Sequence, residues 1–444
     1  MNIELNKPFN SYDFYFIFIF IQLSTNIKML SRQKATLFEN VQLSSCNSVT
    51  IGIQFDNPSF IPDIIEKFKK EIISLNLRYE NGYFFKRNKE IKVRELPKVD
   101  DLRALTNYVV YNSRPNYEEE CGEVYKGNDC IILRINHSLA DGKYLVGILD
   151  HITDKTKTYD NPFPVDFTST FSKELEERRK HPQTYIEELD IYSHLTKRFG
   201  QLGGPELLGE IIFDVHSFKN YNKQTKKCTN ITPSITTGYS LGILALEDLF
   251  KKNENNIYKI GGPMVVDMRP EMKTKPTLNT ANMYTIIPSG CVFNGDETIG
   301  KVFVDLRKKV KEPFIKKSQL FDSPDSIINP RENIPQREDI LGFFSQLGMV
   351  KIKSPVRDII IYDKNYNDIL FNATHIISYQ IVDNRNDRNE FHYFHRYNTN
   401  GINGWQSRLL LHSMKHFLQS FDEKMTIREA INDIQSFQKQ YIRI

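Results

Sequence analysis

The chain has 444 residues, with 59 basic and 55 acidic side chains and 40% hydrophobic residues. This length and apolar content suffice for two hydrophobic cores of ordinary size, so the composition predicts a globular protein. Its short lysine-rich patches are not interleaved with aromatic residues, which argues against nucleic-acid binding. Five scattered cysteines without a Cys-x-x-Cys pair argue against a disulfide framework, and we therefore expect a reducing, cytoplasmic location.

The N-terminus contains an intensely apolar run, Phe14–Ile21, that is too short to span a bilayer. The residues before it carry acidic side chains and no small-residue cleavage site follows, so it matches a signal peptide poorly. Three interpretations remain: a peripheral contact with a membrane or partner, a strand of the first domain, or an extension upstream of a start at Met29. The last two are favoured, and residues 1–28 are treated as an N-terminal extension.

A short strand–helix–strand unit is predicted next, at Val49–Phe55, residues 62–75 and Tyr79–Phe85. Residues 87–125 are polar and mixed in character, and we predict helix and loop there. They lead into residues 131–135, an apolar run broken only by Arg134. Such a run is typical of a central strand with both faces covered.

Polar residues interrupt the apolar pattern directly after this strand. His137, Asp141 and Gly142 follow at fixed spacing, and helical periodicity resumes at Leu145 and Ile148. The pattern H-x-x-x-D-G is thus predicted on a strand–turn–helix. With ten histidines and ordinary Asp and Gly frequencies, only about 0.03 chance matches are expected. A functional site is therefore favoured over a buried histidine beside an ordinary Asp-Gly turn.

The three motif residues suit different chemical roles. An imidazole of ordinary pKa, near 6.5, can take a proton from a hydroxyl or amine as that group attacks a carbonyl. His137 is therefore the candidate general base. Asp141 is expected to hold the turn by pairing with an arginine. Gly142 would let backbone approach a ligand or begin the helix without a side chain.

Two breaker segments, Asp160–Pro164 and Gln201–Pro205, predict a crossover between two halves of the chain. The charge-rich segment Lys173–Lys180 between them is predicted to be a solvated helix. We accordingly predict an N-terminal lobe, residues 29–205, which carries H-x-x-x-D-G and the crossover. A C-terminal lobe follows at residues 206–444.

The second half opens with a helix predicted from Ile231 to Phe250, where Thr232 can cap the helix and Pro233 can take its first position. The remaining predicted elements are a short strand within residues 261–270, a strand at Met283–Ile287, a helix at Glu297–Glu312, strands at His375–Val382 and Phe391–Tyr397, and a helix from Trp405 to Phe421.

Two other motifs point to different chemistry but lack the required context. Ser240 is the central residue of a G-x-S-x-G sequence, which in serine hydrolases needs a strand directly before the serine, whereas here Ser240 falls inside a predicted helix. His412 and His416 lie four apart, as in zinc proteases, but Ser413 replaces the glutamate and no third ligand is evident. A serine hydrolase using Ser240 is the lesser alternative, and we predict no metal.

The H-x-x-x-D-G segment resembles the signature of the chloramphenicol-acetyltransferase-like superfamily. This superfamily includes condensation domains, plant-type acyltransferases, alcohol O-acetyltransferases and polyketide-associated acyltransferases. Ile231–Ser234 and its helix are similar to the segment that opens the second half of those proteins. Val265–Arg269 together with Asn282 resembles a further stretch of them. The resemblance spans most of the chain and favours the condensation-domain and alcohol O-acetyltransferase branches.

This resemblance implies an α/β fold of two similar lobes, each a mixed β-sheet flanked by helices, with a tunnel at their interface. It implies an acyltransferase that moves an acyl group from a thioester to a hydroxyl or amine. The site residues it implies are His137 as the catalytic base, Asp141, Gly142 and Arg269 as structural residues, with Arg269 the partner of Asp141, and Asn136 and Asn282 as lining residues.

The donor and partners are also implied by the resemblance. Asn136 stands where condensation domains usually carry a second histidine, and single-histidine versions are common in branches that use acyl-CoA. Acyl-CoA is therefore favoured as co-substrate, with an acyl carrier protein as the other donor. No tightly bound cofactor is implied; the partners are a small-molecule acyl donor and acceptor, and the chain is expected to be a monomer. A condensation-like binding protein without catalysis is the remaining alternative.

Overall fold

The computed structural model describes most of the chain. The described residues are 32–44, 46–153, 163–180, 206–225, 227–248, 255–280, 282–321, 341–366, 373–399 and 402–442. The N-terminal extension and the predicted boundary at residue 205, with the breaker Gln201–Pro205, lie outside the described residues.

Strands and helices alternate in both halves. The strands are β1 (Arg32–Lys34), β2 (Asn47–Phe55), β3 (Leu77–Glu80), β4 (Tyr83–Lys86), β5 (Val93–Glu95), β6 (Gly122–Lys126), β7 (Cys130–Asn136), β8 (Glu206–Asp214), β9 (Tyr221–Asn222), β10 (Lys227–Cys228), β11 (Ile257–Ile260), β12 (Pro263–Asp267), β13 (Tyr284–Pro288), β14 (Cys291–Asn294), β15 (Leu341–Lys351), β16 (Val356–Asn365), β17 (Ala373–Asp383) and β18 (Arg388–Asn398). The helices are α1 (Leu37–Ser44), α2 (Ile61–Glu71), α3 (Leu102–Asn112), α4 (Gly142–Thr153), α5 (Phe167–Thr170), α6 (Ser172–Arg179), α7 (Ile231–Asp248), α8 (Ile299–Ile315), α9 (Gly404–Ser420) and α10 (Ile427–Ile442).

Two mixed sheets organise the described part of the chain. The N-terminal sheet has the strand order β16-β2-β7-β6-β5, and the C-terminal sheet has the order β13-β12-β15-β17-β18-β8. Strand β16 comes from the second half of the chain but pairs antiparallel with β2, so that Asp363 lies opposite Val49. This exchanged strand joins the second half of the chain to the sheet that carries His137.

Each sheet contributes to its own hydrophobic core. Strands β2 and β7 pack with α2, α3 and α4 in the first core, while α7, α8 and α9 pack with the C-terminal sheet in the second. Ile377 and Tyr379 of β17 enter the first core, so one face of the C-terminal sheet meets the N-terminal lobe. Phe167 and Phe171, which precede the predicted boundary, pack in the second core.

Arg134 interrupts the apolar strand β7, yet its side chain is only 1% exposed. The guanidinium pairs with Glu123 of β6 and donates to the carbonyls of Val109 and Ser113, at 2.8 and 2.6 Å, at the end of α3. A carboxylate and helix-end carbonyls are the partners that a buried cation needs. The arginine therefore fastens α3 to the sheet without exposing the strand.

Several predicted elements needed correction. The segment Tyr79–Phe85 is a hairpin of β3 and β4 rather than one strand, because Asn81 and Gly82 adopt positive φ angles of 51° and 82° that form a tight turn. Residues 87–125 contain β5 and β6 besides helix α3. These two strands are short and carry no long apolar run, so periodicity does not reveal them. The helix expected over residues 62–75 ends at Glu71 and is followed by a 3₁₀ turn.

Other predictions are confirmed. Helices α7 and α9 and strands β17 and β18 lie where the periodicity places them, whereas β15, β16 and α10 were not predicted. Helix α7 already begins at Ile231, so Thr232 does not cap it and its hydroxyl instead donates to Gln346 at 2.5 Å. None of the helices in the described ranges has both the length and the apolar character needed to cross a membrane.

Candidate active site

The polar turn between β7 and α4 is held by its own backbone and by a neighbouring strand. The amide of His137 donates to the carbonyl of Asn47 in β2 at 3.0 Å. The side chain of Asn136 accepts the amide of Ser138 at 2.8 Å, and its carbonyl accepts Leu139 at 3.0 Å. These bonds fold the chain back directly after the strand. His137 is consequently presented at the strand end, with only 8% of the residue exposed.

Asp141 connects this turn to the second half of the chain. Its carboxylate lies 3.0 Å from the guanidinium of Arg269, the partner expected from the sequence. It also accepts the amide of Met283 at 2.9 Å and the amide of Tyr144, in the first turn of α4, at 2.8 Å. Burial alone would raise the pKa of Asp141, but Arg269 and these amides outweigh burial and lower it. The carboxylate is therefore ionised and links the two lobes beside His137.

Gly142 begins helix α4 where that helix meets the C-terminal sheet. A Cβ atom at this position would lie 2.3 Å from Cδ2 of Leu347 on β15. Lys143 next to it donates to the carbonyl of Leu347 at 2.5 Å. Gly142 therefore lets α4 approach β15 closely without displacing the Leu347 side chain.

The Gly142→Ala substitution should destabilise the protein by about 1–3 kcal/mol, because the Leu347 side chain must move aside. Gly147 in the same helix is the matched control, since a Cβ there would meet nothing within 4 Å. Gly147→Ala should increase stability by about 0.5–1 kcal/mol through its helix propensity. Equilibrium urea unfolding measures both changes, and an equal effect of the two substitutions would contradict this packing.

The side chain of His137 is surrounded by polar and aromatic groups of the second half. The amide nitrogen of Asn282 lies 3.4 Å from Nδ1 of His137, near the upper limit for a hydrogen bond. Tyr284 on β13 presents its ring to the imidazole edge-on at 5.7 Å between centroids. Its hydroxyl accepts a hydrogen bond of 2.8 Å from Gln42 on α1. The imidazole is thus enclosed by both lobes.

The two lobes share a second buried polar cluster. Asp363 on β16 pairs with His375 on β17 at 3.0 Å and with Arg396 on β18 at 2.8 Å. Burial would raise the pKa of Asp363 and Arg396 lowers it, whereas burial is the main cause that lowers the pKa of His375. A charge on His137 would lower both pKa values further by a smaller amount, so the cluster lies within electrostatic reach of the motif histidine. Burial raises the pKa of the Tyr284 hydroxyl well above its usual range; Asp363 raises it further, and Arg396 opposes this rise.

Some of these site residues were predicted from the sequence and others were not. His137 and Asp141 of the first half meet Asn282 and Arg269 of the second half, although the two pairs are far apart in the chain. Tyr284, Gln42 and the three residues of the second cluster were not predicted. Tyr284 stands two positions after Asn282, a spacing that places both on one face of an extended chain and was the available signal. No comparable signal marked Asp363, since strand β16 itself was not predicted.

The two rival motifs occupy other places. Ser240 lies inside α7, where its hydroxyl donates to the carbonyl of Thr236 at 2.9 Å and accepts the amide of Gly261 at 3.0 Å. It is not on a strand-to-helix turn, so the serine-hydrolase alternative is not supported. His416 lies 2.8 Å from Asp433, and His412 stacks on Tyr441. Within the described ranges, no three His, Cys, Asp or Glu side chains are arranged to hold a metal ion.

The overall fold has solved counterparts with very low sequence identity. A mutant starter condensation domain of rhizomide synthetase in complex with C8-CoA matches with a TM-score of 0.63 and 8% identity, over 91% of this chain and 98% of that one. The condensation domain of Monacolin K polyketide synthase matches with a TM-score of 0.60 and 10% identity, over 89% and 99% of the two chains.

A third solved counterpart is a protein associated with a polyketide synthase. Polyketide synthase associated protein 5 from Mycobacterium tuberculosis matches with a TM-score of 0.59 and 11% identity, over 87% of this chain and 96% of that one. The chain therefore has the two-lobed, chloramphenicol-acetyltransferase-like fold of condensation domains. Its sequence matches no family model and no curated protein.

Proposed function

We propose that this protein is an acyltransferase that moves an acyl group from a thioester, with acyl-CoA as the donor, to a hydroxyl or amine. The observation that carries the proposal is the position of His137. It lies buried on the turn after β7 with Asn282 of the other lobe 3.4 Å from its Nδ1, and the Asp141–Arg269 ion pair joins the same turn to that lobe. A positioned imidazole enclosed in this way suits proton transfer from an attacking hydroxyl or amine.

In this mechanism His137 acts as the general base. The acceptor oxygen or nitrogen attacks the thioester carbonyl while its proton passes to the imidazole. The tetrahedral intermediate then collapses, the carbon–sulfur bond breaks, and the imidazolium returns the proton to the departing thiolate. The products are the acylated acceptor and free thiol, and no covalent acyl-enzyme is needed.

Asn282 would orient the imidazole in this scheme. A half-turn of its amide exchanges Oδ1 and Nδ2, and Oδ1 has no hydrogen-bond partner among the described residues. With Oδ1 turned to Nδ1–H of His137, the proton of the neutral ring stays on Nδ1 and Nε2 is free to accept. Asp141, Gly142 and Arg269 hold the turn, and Asn136 shapes it through its bond to Ser138.

We also propose that the protein is cytoplasmic. All five cysteines are free, and three of them, Cys46, Cys121 and Cys130, are buried. Asn136 is itself fully buried, so the sequon Asn136-His137-Ser138 could not carry a glycan in this fold. Both observations favour a cytoplasmic protein.

The test is a survey of donors and acceptors with the purified protein. Acyl-CoAs of different chain length are mixed with alcohols and amines, and thiol release is followed with a chromogenic thiol reagent. We expect acceptor-dependent thiol release, with the acylated acceptor identified by mass spectrometry. Saturable binding of acyl-CoA without turnover would show a binding protein instead. Turnover only with acyl groups loaded on a carrier protein would reassign the donor.

A further inference from the structure

The second polar cluster bridges the two lobes. Asp363 belongs to the N-terminal sheet, whereas His375 and Arg396 lie opposite each other on β17 and β18 of the C-terminal sheet. One oxygen of Asp363 lies 3.0 Å from Nδ1 of His375 and 2.8 Å from Arg396. The side chains of Asp363, His375 and Arg396 are 6%, 13% and 11% exposed. The cluster is therefore an ion pair at the lobe interface to which a histidine is attached.

The protonation states within the cluster follow from its surroundings. Burial alone would raise the pKa of Asp363, but Arg396 and the bond from His375 hold it well below its usual range. Burial lowers the pKa of His375, and the effect of burial and of Arg396 exceeds that of its Asp363 partner. At neutral pH the carboxylate is ionised and the imidazole neutral, so Nδ1–H donates to Asp363. The lone pair is then on Nε2.

Nε2 of His375 is buried and has no hydrogen-bond partner among the described residues. Leaving a buried acceptor unpaired costs about 1–3 kcal/mol, so a donor group from a bound molecule would be stabilised there. His375 lies on the face of β17 that also carries Ile377 and Tyr379, since side chains alternate along a strand. That face meets the N-terminal lobe.

The register of the N-terminal sheet places Asp363 on the same face as Ile135, which precedes the turn that carries His137. Asp363 lies opposite Val49, and Val49 lies opposite Ile135, so these three side chains share one face of the sheet. His137 follows Ile135 by two residues. The small effect that a charge on His137 would have on the pKa values of Asp363 and His375 agrees with this placement. Two imidazoles from different lobes therefore lie near one interface.

We propose that His375 is a second substrate-binding histidine of this site, which accepts a hydrogen bond from a second hydroxyl or amine of the acceptor. The inference rests on the proposed acyl transfer at His137. It names the acceptor class: polyfunctional molecules such as polyols and amino alcohols rather than simple alcohols or amines. Asp363 and Arg396 are positioning residues, because Asp363 accepts the Nδ1–H of His375 and Arg396 holds that carboxylate in place.

Matched acceptor pairs test the inference. Glycerol is compared with propanol, and ethanolamine with ethylamine, as acceptors for wild-type protein and for His375→Phe and His375→Gln. Wild type should prefer the polyfunctional member of each pair by about tenfold in kcat/KM, the value of one hydrogen bond. His375→Phe should remove this preference, so that the two members of each pair have the same kcat/KM, while His375→Gln, whose side-chain amide can both donate and accept a hydrogen bond, should keep part of it. A preference that survives in His375→Phe would overturn the inference, as would a wild type without preference.

A direct binding measurement separates this inference from the proposed function. Histidine side chains are labelled with nitrogen-15, and the His375 resonances are assigned by comparison with His375→Gln. We expect an Nδ1–H tautomer and a shift of the Nε2 signal with glycerol or ethanolamine but not with propanol or ethylamine. If wild type released no thiol from any donor, the proposed function would fail while this readout still decided the role of His375. An Nε2 signal that none of the four probes moves would refute that role.

Discussion

Replacing His137 with alanine should lower acceptor-dependent thiol release by about 10²- to 10⁴-fold, the usual contribution of a general base. The loss should appear in kcat rather than in KM, because the imidazole acts on the proton of the attacking group. Far-ultraviolet circular dichroism and unfolding by urea should show a folded protein, since the turn is held by backbone bonds to Asn47 and within the turn itself. Steady-state kinetics with one acyl-CoA and one saturating acceptor measures the effect.

The matched control is His216→Ala. His216 is exposed and lies 2.6 Å from Asp214, on the 3₁₀ turn that follows β8. Like His137→Ala, this substitution removes one histidine, but His216 lies outside the site. The activity of His216→Ala should therefore stay at the wild-type level. Equal rates for wild type and His137→Ala would remove His137 from the mechanism.

Removing the carboxylate of Asp141 should be the most destabilising change at the site. Asp141→Ala removes the ion pair with the guanidinium of Arg269, which also lies 2.9 Å from Asp267, and deprives two backbone amides of their acceptor. Breaking a buried ion pair from one side costs about 3–5 kcal/mol. Activity should fall as well, because Met283, held by Asp141, adjoins Asn282. Urea unfolding at neutral pH measures the stability.

A double-mutant cycle isolates the pair itself. Arg269→Met should destabilise less than Asp141→Ala, since Asp141 keeps its bonds to the amides of Met283 and Tyr144. The double variant should lose less free energy of unfolding than the two single losses added together, and the difference, the coupling energy, should be about 0.5–3 kcal/mol. Strict additivity would show that the two charges do not stabilise the junction of the lobes.

Much of the site could be predicted because its chemistry is concentrated in one local motif. His137, Asp141 and Gly142 stand within six residues between a strand and a helix, and their spacing alone marks a turn. The fold class rested on the resemblance of this turn and of Val265–Arg269 to a known superfamily. Asp141 and Arg269 then lie 3.0 Å apart in the structure.

The rest could not be predicted because it depends on pairing between distant strands. Asp363 comes beside His375 only because β16 leaves its own half of the chain and pairs with β2. No periodicity in the sequence reports such an exchange. Arg134 shows the same limit, since its burial depends on Glu123 and on the end of α3. Partners of this kind are set by tertiary contacts rather than by local pattern.

A single-turnover reaction followed by mass spectrometry tests acyl transfer at His137 most directly. Wild type and His137→Ala are mixed with one acyl-CoA and one acceptor, and samples are denatured at intervals to measure both the acylated acceptor and the intact protein mass. We expect the acylated acceptor to form with wild type at the rate of thiol release, with no acyl adduct on the protein, and to form about 10²-fold or more slowly with His137→Ala. An acylated protein intermediate, or product formation by His137→Ala at the wild-type rate, would contradict the proposed function.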